Sequence, residues 1–199
     1  MPVMSSAMTP LGSKMPTFNL PDVISGRILD SASLDPGKPV LVVFVAAHCP
    51  YTRQIAPGIQ KLVRGYRDRL NMVAICANDI AQVPEDSPAG LRRLAKELEW
   101  TEPFLYNEGQ DVARVFGAEC TPECFLYDAS RTLVYRGEID DSRPASGLRA
   151  FVAKAPSAAP VRAALDALLS GRPIDPNQRP GMGCNIKWRA VAGVPPARM

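Results

Sequence analysis

The hydrophobic pattern changes period several times along the first half of the chain, and each change predicts an element. Residues 17–34, TFNLPDVISGRILDSASL, alternate apolar and polar positions on either side of Ser25-Gly26, which predicts two short strands and a turn. Residues 39–47, PVLVVFVAA, are almost continuously apolar and rich in β-branched side chains. A run this short and this uniform predicts a strand covered on both faces, as in a parallel sheet. From Thr52 to Leu70 the apolar residues Ile55, Ile59, Leu62, Val63, Tyr66 and Leu70 fall at helical spacing. A helix is predicted to start near Pro50, whose missing N–H is harmless in a first turn, and to kink at Pro57-Gly58.

Residues 71–79, NMVAICAND, predict a second buried strand. Ser87-Pro88 opens a helix with Leu91, Leu94, Leu98 and Trp100 on one face and Arg92, Arg93 and Lys96 on the other. PFLYN reads as a short extended segment, and Gln110 to Phe116 as a short helix closed by Gly117. CFLYD and RTLVYRGEI flank Asp128-Ala129-Ser130 and predict a β-hairpin, and Ala158 to Leu169 is a last helix stopped by Gly171. There is no internal repeat. This order predicts an α/β fold with a central mixed β-sheet flanked by helices.

Composition narrows the picture. The chain has 199 residues, 46% apolar and 22% charged, which fits one domain with a full core. The net charge of +3 is spread out with no basic block, so a nucleic-acid partner is not expected. No apolar stretch reaches membrane-spanning length, and the N-terminal residues lack the basic cluster and apolar run of a secretory signal. The 20 prolines gather at both ends and between Arg143 and Pro160. Residues 1–14 are therefore expected to be a flexible segment, 15–172 the folded domain, and 173–199 a Pro/Gly-rich tail. Five cysteines, an odd number in a chain too long to need disulfide staples, point to a reducing compartment, and the expected location is cytoplasmic.

The chemistry centres on VLVVFVAAHCPYT. Cys49 falls where a buried strand gives way to a helix, and unpartnered N–H groups at a helix start favour a thiolate. A thiolate is the nucleophile of disulfide exchange and peroxide reduction, although a buried structural cysteine is an equal reading of the same residues. Thr121-Pro122 heads a late strand, where an ordinary trans proline is the commoner reading and a cis proline the special one. Cys76 and Cys124 lie inside apolar strands and read as inert core. His48, the only histidine, can support the neighbouring thiolate, but adjacent strand residues face opposite ways, which favours His48 facing elsewhere. One histidine beside one cysteine is poor metal-ligand spacing, so neither a metal nor another cofactor is expected. Asp79 and Asp140-Asp141-Ser142-Arg143 read as turn chemistry and solvated charge, with an exposed ion pair for Arg143 worth little.

Taken together, HCPYT, CANDIAQVPEDSP, GAECTPECFLYD, LVYRGEIDDSRP and GCNIKW resemble the thioredoxin superfamily. Within it they are similar to the alkyl hydroperoxide reductase/thiol-specific antioxidant (peroxiredoxin-like) branch and to an uncharacterised bacterial thioredoxin-family group, over about residues 15 to 172. The resemblance implies a thioredoxin-like fold in which Cys49 is the active-site cysteine and Pro122 a cis-proline facing it, after Thr121. Two departures matter. Cys49-Pro50-Tyr51-Thr52 carries threonine where Cys-x-x-Cys has its second cysteine, and Ala46 stands where peroxiredoxins place a Thr or Ser. A cycling Cys49 therefore needs another thiol. Cys120, two residues before Pro122, Cys184 in the tail, with Trp188 as an anchor, and an external thiol such as glutathione or thioredoxin are the candidates, with an unattached terminal cysteine an equal reading of Cys184. Tyr51, Thr52, Thr121 and Pro122 would line the substrate site.

The function implied is a thiol–disulfide oxidoreductase or peroxiredoxin-like antioxidant reductase acting through Cys49. Its partners would be a protein disulfide, a peroxide or a low-molecular-weight thiol, with a thioredoxin- or glutathione-type reductant; a homodimer is left open. Two alternatives are a binding module that uses the groove around Pro122 without turnover, and a redox sensor in which Cys49 oxidation alters docking of the tail.

Overall fold

A computed structural model describes residues 3–142 and 154–190. Its centre is a five-stranded mixed sheet in the order β6-β5-β4-β8-β9. The strands are β4 (Val40–Phe44), β5 (Asn71–Cys76), β6 (Phe104–Tyr106), β8 (Glu123–Tyr127) and β9 (Leu133–Gly137). β4, β5 and β6 run parallel, whereas β8 is antiparallel to both β4 and β9.

Because side chains alternate along a strand, the apolar run of β4 feeds two cores. Leu41 and Val43 face a layer built from α2 (Ala56–Tyr66), α3 (Pro88–Glu97) and α5 (Ala159–Leu169). Val40, Val42 and Phe44 face α4 (Asp111–Phe116) and the hairpin of β2 (Asn19–Pro21) with β3 (Ile28–Asp30). In this second core Phe44, Phe116, Phe125 and Tyr127 meet edge to face, with centroids about 6 Å apart, a favoured aromatic geometry. Burial on both faces explains why β4 and β5 read as continuous apolar runs rather than alternating ones.

The helix predicted from Pro50 is divided. α1 (Pro50–Gln54) ends at Ile55 and α2 continues to Tyr66, so the break falls two residues before Pro57. Ser87 caps α3 by accepting from the Gly90 N–H, and Gly117 closes α4 with a φ of +70°, both as the sequence suggests.

The two ends depart from the loose segments expected. β1 (Val3–Ser5) and β10 (Met182–Asn185) form a three-stranded sheet with β7 (Cys120–Thr121), in the order β1-β10-β7. Beyond β10, residues 186–189 hydrogen-bond to the main body rather than trailing away. The ion pair expected of Arg143 lies outside the described residues. Among those described, no helix is long and apolar enough to cross a membrane.

Candidate active site

Cys49 sits at the N-cap of α1 with extended backbone angles, just past the end of β4. The loop that presents it is fixed by Asp86, a fully buried carboxylate. One Asp86 oxygen accepts the N–H groups of Ala47 (2.6 Å) and His48 (3.1 Å). The other meets His48 Nδ1 (2.6 Å) and accepts from Asn78 Nδ2 (2.7 Å). The His48 ring is thus held against Asp86, leaving the thiolate contacts to other groups. Asn78 Oδ1 in turn accepts the Lys187 N–H (2.7 Å), linking this hub to the C-terminal segment. Asp86 was not singled out from the sequence; its partners are 8 to 39 positions away and leave no local pattern.

On the opposite side of Cys49 runs the turn between β7 and β8, where the Thr121-Pro122 peptide is cis. The Cys49 thiol donates to the Thr121 carbonyl at 3.1 Å. β10 lies antiparallel to β7 with Cys184 opposite Thr121 and Asn185 opposite Cys120, which sets Cys184 across from the residue whose carbonyl accepts from the Cys49 thiol. Both cysteines are closed from solvent, at 0% and 1% exposure.

The Cys184 thiol is the main reason the Cys49 thiol is lowered to about 5; burial opposes it. The Cys184 N–H, the Thr121 hydroxyl and the Thr52 N–H add smaller support in that order. The expectation that the helix start governs this thiolate is therefore corrected. α1 is only five residues long, and a neighbouring S–H contributes more than its terminal N–H groups. The Thr121 hydroxyl is buried and otherwise without a partner. Cys184 shifts the other way, its proton held by the Cys49 sulfur and its thiolate further disfavoured by burial.

The remaining predicted residues separate cleanly. Cys120 is pushed up by burial and by Glu123, whose carboxylate lies 3.9 Å from its sulfur. Cys120 remains within electrostatic reach of Cys49, while Cys184 has the larger influence on it. Cys76 and Cys124 are raised well above the ordinary thiol range by burial, consistent with inert core positions. Tyr51 and Pro122 line a groove of about 500 Å³ together with Val3, Gln54, Ile55 and Met182. Asp140 does structural work, accepting the Ser157 and Ala158 N–H groups that precede α5. Asp79 accepts from Ala81 and Gln82 and pairs with Arg189 at 3.7 Å. Among the described residues no group of three His, Cys, Asp or Glu side chains could hold a metal ion.

A buried cysteine at a strand-to-helix junction, facing a cis-proline at the head of β8, agrees with the family comparison: residues 11–136 match the AhpC/TSA family. The chain belongs to that family. Its fold is that of the thioredoxin superfamily, and the matched stretch includes Cys49 and Pro122 but ends well before Cys184. A crystal structure of an uncharacterised conserved protein from Geobacillus kaustophilus is 38% identical over 96% of this chain and 99% of that one, with a TM-score of 0.87. The thioredoxin domain of a thiol-disulfide oxidoreductase from Bacteroides vulgatus has the same fold at 18% identity and a TM-score of 0.54, over 72% of this chain and 94% of that one. The thioredoxin-like protein HCF164 of Arabidopsis thaliana is 26% identical over 100 residues. That match spans half of this chain and 36% of the relative's length.

Proposed function

We propose that the protein is a thiol–disulfide oxidoreductase whose redox pair is Cys49 and Cys184. The observation that carries this reading is Cys184 paired opposite Thr121, the residue whose carbonyl the Cys49 thiol meets at 3.1 Å; Cys184 is also the main reason the Cys49 pKa is lowered to about 5. Cys184, brought in on β10, stands in for the second cysteine that Thr52 replaces.

The cycle follows from the two shifts. Cys49, its pKa lowered, attacks as the thiolate one sulfur of a substrate disulfide, forming a mixed disulfide and releasing the other sulfur as a thiolate. The leading cause holding the Cys184 proton, the charged Cys49 sulfur, then disappears. Cys184 gives its proton to the departing thiolate and attacks the Cys49 sulfur, forming Cys49–Cys184 and releasing the second sulfur as a thiolate that takes a proton from water. Lys187 favours the Cys184 thiolate at that stage. A peroxidase reading finds less support, because Ala46 supplies no hydroxyl to hold a peroxide.

Single turnover with a chromogenic small disulfide tests the assignment. The reduced protein should release two thiols per molecule. Cys184→Ser should release one and retain the other as an adduct on Cys49, and Cys49→Ser should release none. Two thiols released by Cys49→Ser would refute it.

A further inference from the structure

Extended polypeptides commonly dock by adding a strand to an open sheet edge. The edge beside Cys49 is β7, and it is already filled. β10 pairs with β7 on one side and with β1 on the other. Gly183 lets it lie very close: a Cβ there would fall 1.9 Å from the Thr121 oxygen and 2.6 Å from the Thr121 carbonyl carbon, so no other residue fits without lifting the strand.

β10 is also pinned at both ends. The Ser6 N–H donates to the Gly181 carbonyl (2.9 Å), and the Ile186 N–H to the Glu119 carbonyl (3.1 Å). The Lys187 N–H reaches Asn78 and the Arg189 N–H reaches Gln110, both at 2.7 Å. The Arg114 guanidinium stacks on the Trp188 ring at 4.3 Å. These contacts make β10 a built-in part of the site rather than a loose flap.

We propose that Gly183, by seating β10 against Thr121, is the specificity-determining residue of the dithiol: the filled edge excludes polypeptide disulfides and restricts exchange to low-molecular-weight ones. This rests on the reading of Cys49 and Cys184 as a redox pair. The reaction is the exchange described above, in which one small disulfide is reduced to two thiols and the protein dithiol is oxidised to Cys49–Cys184. A small disulfide needs only a local parting of the cover over two sulfurs, whereas a polypeptide needs β10 to leave its place.

The test compares the rates at which bis(2-hydroxyethyl) disulfide and insulin oxidise the reduced full-length protein, with the product mapped by mass spectrometry. The small disulfide should be faster by about tenfold or more per disulfide bond. Gly183→Ala should narrow that ratio by accelerating insulin. Comparable rates for the two oxidants in the unaltered protein would overturn the proposal, whether or not the variant folds. Failure of both oxidants to modify Cys49 would instead refute the redox pair on which it rests.

Discussion

At the scale of single residues, the two cysteines of the site shift in opposite directions, Cys49 down and Cys184 up. Burial alone would push the Cys49 thiol up, and the Thr121 carbonyl favours its protonated form. The influence of the Cys184 thiol, which favours the charged sulfur, is larger than that of burial. Removing that thiol should therefore raise the Cys49 pKa. Cys184→Ala is expected to move the midpoint of pH-dependent alkylation at Cys49 from about 5 up toward the ordinary thiol range of about 8.5. Cys184→Ser, which keeps a hydroxyl donor, should move it less. The same shift couples to folding. Cys49 is lowered from 9.0 to about 5, so between those values the unfolded chain holds a proton that the folded chain has released. Its contribution to stability is complete above the unfolded value and is lost as the pH falls through about 5. Cys184 is raised, so its contribution is present below the unfolded value and fades as the pH climbs above it. An alkylation midpoint that stays near 5 in Cys184→Ala would separate the thiolate from its proposed support.

Among the elements, the loop between β4 and α1 depends on a turn distant in sequence. Asp86 satisfies two backbone N–H groups, the His48 ring and the Asn78 amide at once. Removing a buried, multiply bonded carboxylate leaves those donors without partners. Asp86→Ala is predicted to cost about 3 kcal/mol in urea unfolding and to slow alkylation of Cys49; a loss below about 0.5 kcal/mol, the usual range for exposed positions, would show that the hub is not needed. Elements with strong local patterns were legible in the sequence. The apolar runs of β4 and β5, the Ser87 cap, the turn at Gly26 and the Asp128-Ala129-Ser130 hairpin all carry their signals within a few residues. β1, β7 and β10 carry none. They are two to four residues long, and their pairing joins position 184 to positions 121 and 3, a register no periodicity records.

For the whole molecule, that non-local pairing turns a thioredoxin-fold domain without Cys-x-x-Cys into a candidate dithiol protein. β1 and β10 lie beside the active-site groove, and the segment after β10 returns through Asn78 to the Asp86 hub that positions Cys49. Cys49 and Pro122 were legible through the family resemblance; the residues alone left a structural cysteine an equal reading and a trans proline the commoner one. Cys184 was legible only as one of two candidates, since the choice between it and Cys120 depends on which face of β7 the tail covers. The most direct measurement is disulfide mapping of the full-length protein after one equivalent of a mild disulfide oxidant. A single new bond is expected, Cys49–Cys184, with Cys76, Cys120 and Cys124 still free thiols. A Cys49–Cys120 bond, or oxidation that leaves Cys184 free, would contradict it.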